Sequence, residues 1–304
     1  LTTDISRSLQ KICKPETILL EAAHQPNFLP YAGFFQKILI MNIISEKLTK
    51  KGFDNVQMFG LLDTDTVRKI KEIIKFNSDG KGVPESYYPI TIKSFLIKLI
   101  KFDFMKIKHS LFLLSLKKKL SLELIAQNFF NRKSKLHMLD AYRSKIQNNV
   151  IIPWHSDQAY SGAKTIDRIA PPEKFCLKFF FYLTNVGPNN GCTSYMPRSH
   201  KITYAVRSCL HEKKIKYEPF WEISDLVNLI NKKNNYTHIV NKLGSKIELN
   251  DFLNKANLII TNKDNNLYNF HASPGDLLIF NEGGLHKGSK PTLNERQVLR
   301  YLYS

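Results

Sequence analysis

The stretch that most constrains the fold is FCLKFFFYL, residues 175–183, a nine-residue β-prone run that ends in NVGPNNGC. Glycine, proline and asparagine close the run and force a turn. The same rhythm continues to the end of the chain. TSYMPRSHK follows, then SPGDLLIF, NEGGLHKGSKPTLNE and RQVLRYLY. Pro274-Gly275-Asp276 reads as a turn feeding the strand LLIF, and RQVLRYLY reads as a final strand. Several short strands with tight turns after about residue 136 point to a β-sandwich or jelly-roll.

The first half reads differently. VQMFGLL is a short apolar strand that runs into a helix, with Asp63-Thr64-Asp65 as the start signal and Val67, Ile70, Ile73 and Ile74 at helical spacing. Residues 91–131 are rich in Leu, Ile and Phe punctuated by lysines, which suggests helices packed on a sheet with lysine stems reaching water. Residues 203–270 read as a polar, Lys/Asn-rich insertion and candidate lid. It holds one helix, EISDLVNLINKK (222–233), preceded by Tyr217, Phe220 and Trp221. Residues 1–50 form an appendage of unknown role, with residues 51–304 as the main domain. The turn-rich piece HQPNFLPYAGFFQKI within the appendage is similar to the opening motif of the WbqC-like family.

The formal charge of +19 would attract nucleic acid, anionic membrane or acidic small molecules. The positive charge is spread and is mostly Lys, as in chains from AT-rich genomes, so a nucleic-acid partner is not expected. Cys13, Cys176, Cys192 and Cys209 are far apart and form no CxxC, which suits reduced thiols in a cytoplasmic protein. No secretory leader follows Leu1, and no stretch approaches the ~18 apolar residues of a membrane helix.

The chemistry centres on WHSDQAYSG, residues 154–162. His155 and Asp157, two apart at the end of an apolar run, point to the same side of a strand. A mononuclear iron(II) site of the oxygenase type takes two histidines and one carboxylate on one face of the metal. Nine histidines offer candidates for the second position. His286 is the best placed, because it follows the strand LLIF and the pair Gly283-Gly284, which lets backbone approach closely. Arg296, ten residues on, starts the final strand. An arginine there suits 2-oxoglutarate, whose far carboxylate a guanidinium grips with two parallel hydrogen bonds. His211, His238 and His271 read as surface residues.

In order along the chain, WHSD, NNGCTSYMPRSHK, SPGDLLIF and GGLHKGSKPTLNERQVLRYLY resemble the motifs of the phytanoyl-CoA dioxygenase-like family of iron(II)/2-oxoglutarate oxygenases. The resemblance implies a mainly β fold with flanking helices, a double-stranded β-helix (jelly-roll, cupin-like) core packed against N-terminal helices. It implies His155, Asp157 and His286 as catalytic iron ligands and Arg296 as the clamp on 2-oxoglutarate. Ser289 would be a second donor to the same carboxylate, and Arg300 is the reserve for the clamp. His200 recurs in the family as a residue that fixes its loop. The chain departs from the pattern at Arg198, where the family has glycine, and at Ser289, which lies one residue later than usual. The implied activity is hydroxylation of a C–H bond in a small organic substrate, with O2 consumed and 2-oxoglutarate decarboxylated to succinate. A carboxylate at position 157 favours hydroxylation over halogenation. The alternative is a non-catalytic jelly-roll binding protein, with nucleic acid held on its basic surface.

Overall fold

The computed structural model describes residues 20–21, 55–77, 85–86, 104–157, 171–172, 176–262 and 268–304. The WbqC-like motif lies outside these residues. Among the described residues, ten strands form two sheets. The seven-stranded sheet contains β1 (Leu20–Glu21), β2 (Asn55–Phe59), β8 (Leu277–Asn281), β6 (Leu177–Tyr182), β10 (Arg296–Tyr303), β4 (Leu136–Ser144) and β3 (Glu85–Ser86), in that spatial order. The smaller sheet has the order β5 (Ile152–His155), β9 (His286–Gly288) and β7 (Thr193–Tyr195). All pairings are antiparallel except β1 with β2. The two residues of β1 are the part of the N-terminal appendage that joins the sheet.

The two faces of the large sheet explain why FCLKFFFYL is apolar at all but one position. Successive side chains on a strand point to opposite faces. Leu177, Phe179 and Phe181 of β6 enter a core shared with helices. Phe180 and Tyr182, on the other face, enter a core shared with Tyr195 of the small sheet. β8 and β10 divide in the same way. Leu277, Ile279, Leu299 and Tyr301 face the helices, whereas Leu278, Phe280 and Val298 face the space between the sheets. The result is the jelly-roll core expected from the sequence, with one face of the large sheet covered by helices.

Those helices are α1 (Thr64–Asn77), α2 (Phe104–Lys119) and α3 (Leu122–Phe130). The start signal of α1 acts as read, since Asp63 Oδ1 accepts from the Thr66 amide at 2.7 Å. Val67, Ile70, Ile73 and Ile74 are buried against the sheet, and α2 and α3 add Leu113, Leu116 and Ile125 to the same core. The Tyr301 hydroxyl of β10 donates to the Leu113 carbonyl at 2.7 Å, tying α2 to the sheet. Among the described residues no helix is long and apolar enough to cross a membrane.

The insertion differs from its sequence reading. It contains not one helix but α5 (Ile223–Asn231), α6 (Asn235–Leu243) and α7 (Lys246–Thr261), with α4 (Ser199–His211) leading into it. These helices have their own core, including Val206, Leu226, Ile230, Ile239, Leu249 and Phe252. Lysines and asparagines dilute the average composition, but the apolar residues fall on single stripes and bury them together. Trp154 and Leu285 of the small-sheet region belong to this helical core. The helices therefore pack behind the small sheet.

The Pro274-Gly275-Asp276 turn joins the layers. Asp276 is buried, and its two carboxylate oxygens accept from the Gly60 and Ser273 amides, each at 2.7 Å. Asp276→Ala strands both donors and should cost about 2–4 kcal/mol, measured by urea unfolding of the apo protein.

Candidate active site

Strands β5 and β9 place His155 directly opposite His286, with ring centroids 4.3 Å apart. Trp154 and Leu285, the residues just before them, point the other way into the helical core. Alternation therefore sends both imidazoles into the space between the sheets. Close packing behind His286 needs Gly284, since a Cβ there would collide with the Tyr195 hydroxyl. Ser156 fixes the step from His155 to Asp157. Its amide donates to the Trp221 carbonyl at 3.2 Å and its hydroxyl to the Gly283 carbonyl at 3.1 Å.

Asp157 thus faces both rings. His155 Nε2 lies 3.1 Å from Asp157 Oδ1, and His286 Nε2 lies 3.2 Å from Oδ2. The other ring nitrogens are held by backbone, His155 Nδ1 at 2.7 Å from the Pro153 carbonyl and His286 Nδ1 at 3.0 Å from the Gly284 carbonyl. A carbonyl can only accept, so each Nδ1 carries a proton, and Nε2 is the ring atom that each histidine presents to the carboxylate. One donor atom from each of the three residues lies within 4.8 Å of the others. Two imidazole Nε2 atoms and a carboxylate that converge in this way are a donor set suited to a divalent cation. Burial pushes the Asp157 carboxyl up, but the Lys178 ammonium, His286 and the imidazole hydrogen bonds outweigh it and hold it well below the usual carboxylate range. Burial lowers His286, partly offset by Asp157, which favours its neutral form.

The arginine that the sequence singled out is buried among neutral groups. Arg296 is only 3% exposed, yet its partners are neutral. Nη1 donates to the Gly191 carbonyl, and Nη2 to the Tyr142 hydroxyl and Ser144 Oγ, all at 3.3 Å. Its Nε is buried with no hydrogen-bond partner, and among the described residues no carboxylate pairs with it. Gly191 takes a positive φ of 72°, and a Cβ there would lie 3.2 Å from Arg296 Cβ. Ser289 borders the same corner, its amide donating to the Cys192 carbonyl at 2.9 Å and its hydroxyl accepting from Cys192 Sγ at 3.5 Å.

Arg300, the reserve, is already engaged. Its Nε lies 2.9 Å from Asp140 Oδ1 and its Nη2 2.5 Å from Oδ2 in a two-pronged pair. His200 lies in α4, outside the cluster, and its carbonyl accepts from Thr203. His211 and His271 are exposed and His238 is half-buried. Arg198 adopts the left-handed backbone that a glycine would take, φ 67°, so the turn survives the substitution, and its side chain pairs with Glu248 at 3.2 Å.

Two contributions were not evident from the sequence. Lys178 reaches Asp157 in an ion pair, and Glu282 stands 3.6 Å from the same ammonium. The signal was a lone cation inside FCLKFFFYL, a strand buried on both faces. Of the three aromatics before α5, Phe220 is core, Tyr217 packs against that core, and Trp221 stands over the His155 ring at 5.1 Å.

The two arginines predict opposite responses to removal of charge. Arg300→Met leaves Asp140 buried and unpaired and should cost about 3–5 kcal/mol. Arg296→Met abandons no acid and should be neutral or stabilising. Parallel denaturant melts of the two apo variants test the contrast.

A model of the family described as phytanoyl-CoA dioxygenase matches residues 101–292, more than half of the chain. No curated protein matches the sequence. Among solved structures, HygX from Streptomyces hygroscopicus with nickel and 2-oxoglutarate bound is similar at 12% identity over 88% of this chain and 86% of that one, TM-score 0.49. The epimerase SnoN in complex with Fe3+, alpha ketoglutarate and nogalamycin RO is similar at 11% identity over 88% and 84%, TM-score 0.47. The alpha ketoglutarate dependent carbocyclase SnoK, from nogalamycin biosynthesis, is similar at 14% over 85% of each chain, TM-score 0.46. By its family match the chain belongs to the phytanoyl-CoA dioxygenase family of iron- and 2-oxoglutarate-dependent oxygenase-type enzymes.

Proposed function

We propose that the protein is an iron(II)/2-oxoglutarate-dependent dioxygenase that hydroxylates a C–H bond of a small organic substrate. The observation that carries this reading is the convergence of His155, Asp157 and His286 donor atoms within 4.8 Å. His155 Nε2, His286 Nε2 and one Asp157 oxygen would hold the metal. Iron(II) with 2-oxoglutarate, when bound, supplies the oxidising chemistry, as 2-oxoglutarate and O2 are converted to succinate and carbon dioxide while the substrate gains oxygen.

The residues of this chain supply position and electrostatics. The Pro153 and Gly284 carbonyls fix both imidazoles in the tautomer that leaves Nε2 free to bind. Arg296 would grip the far carboxylate of 2-oxoglutarate with its unpaired Nε edge, assisted by the Ser289 hydroxyl. A buried guanidinium with neutral partners attracts an anion strongly, because water does not screen it. Trp221 forms a rigid wall beside His155 and would limit how substrate approaches. The carboxylate of Asp157 fills the position that a halogenase leaves open to chloride, which favours hydroxylation. The competing reading, a metal-free binding protein, gives no account of why two imidazoles and a carboxylate converge in the space between the sheets.

Anaerobic titration with iron(II) and then 2-oxoglutarate tests the assignment by the visible metal-to-ligand charge-transfer band. The band should form in the parent and be absent from His155→Ala. In Arg296→Met, iron should bind as in the parent, while the 2-oxoglutarate needed for the band rises at least about tenfold. A folded parent without the band would refute the reading. With a substrate that stimulates succinate release, a product heavier by one oxygen atom marks hydroxylation, and a product without it marks another oxidative outcome.

A further inference from the structure

Lys178 is a costly residue to place where it is. It lies on β6 in register with Phe280 of β8 and Leu302 of β10, and its side chain points between the sheets, 8% exposed. A buried ammonium persists only when it is balanced by nearby negative charge. Two carboxylates balance it. Asp157 Oδ2 is in direct ion contact, and Glu282 Oε2 lies 3.6 Å away. The ammonium also stands 5.7 Å from the Phe280 ring centroid. Glu282 is itself buried, at 8% exposure.

Asp157 Oδ2, the atom that meets Lys178, is also the one that faces His286 Nε2 at 3.2 Å. An ammonium and a divalent cation therefore compete for one carboxylate within a few ångströms of each other. Without metal, Lys178, Asp157 and Glu282 sum to one negative charge, and a divalent ion turns that sum positive. Repulsion between a divalent ion and an ammonium at such separations is large in a poorly solvated site. Glu282 provides the ammonium with a second acceptor.

We infer that Lys178 is an internal counter-ion that neutralises Asp157 in the metal-free protein and must yield that carboxylate, shifting toward Glu282, when metal enters. The inference rests on the reading of His155, Asp157 and His286 as a metal site. Lys178 thereby sets the metal affinity below what the three ligands alone would give, and it keeps the empty site from carrying an unpaired buried carboxylate.

Calorimetric titration of the full chain with Ni(II), a redox-inert probe, tests this. Lys178→Met keeps the length of the side chain and removes its charge. It should bind Ni(II) at least tenfold more tightly than the parent, while its metal-free melting temperature falls. Opposite signs in those two readouts are not what a merely structural lysine would give. Glu282→Gln against Lys178→Met/Glu282→Gln repeats the comparison without the second carboxylate, so the test survives if Lys178→Met alone does not fold. Unchanged or weaker Ni(II) binding on removing the lysine would overturn the inference, and would make Lys178 an orienting partner of Asp157. His155→Ala separates the two claims, because parent-like Ni(II) binding in that variant would defeat the metal reading itself, whatever Lys178 does.

Discussion

The antiparallel pairing of β5 with β9 is the constraint on which the rest of the site depends. It sets His155 opposite His286, and strand alternation then sends Trp154 and Leu285 into the helical core behind them. The same few hydrogen bonds thus decide two things at once. They aim the imidazoles forward and anchor the strands that carry them. A one-residue slip would exchange the two sets and put indole and isobutyl groups where the donors belong. The helices of the insertion, by burying Trp154 and Leu285, make that slip expensive. Packing behind the sheet thereby becomes precision in front of it.

The two arginines of the last strand show how the same side chain takes a structural or a receptive role from its neighbours. Arg300 meets Asp140 on the adjacent strand in a two-pronged pair, so its charge is spent inside the fold. Four residues earlier, Arg296 meets only a carbonyl, a phenol and a serine hydroxyl. Both lie on the same face of β10, and the register with β4 decides the difference, since Asp140 stands opposite Arg300 and Ser144 opposite Arg296. A guanidinium buried without an acid carries a desolvation cost that its neutral partners offset only in part.

Much of this was legible in the sequence where the signals are local. The helix opened by Asp63, the turn before LLIF and the final strand each announce themselves within a few residues. The three candidate ligands and Arg296 were reachable because short motifs in a fixed order bring them to strand ends. What escaped was collective. The insertion read as polar because lysine and asparagine fill its exposed faces, whereas its core depends on residues such as Ile239 and Leu249 meeting across helices. Lys178 escaped for the converse reason, since a lysine in an apolar strand is ordinarily a snorkelling surface residue. Only the juxtaposition of β6 with the residues that follow β5 and β8, long-range in sequence, gives it two acids.

The large sheet has a further consequence, set by its borders. The outermost strands, β1 and β3, are two residues long, and the inner strands β8, β6 and β10 are apolar on both faces. An open row of backbone donors and acceptors along such strands would be a template for sheet-to-sheet growth between molecules. Among the described residues, β1 and β3 cover two positions each of the rows along β2 and β4. Leu20 and Glu21, far in sequence from the chemistry, thus serve as a selvedge along part of β2.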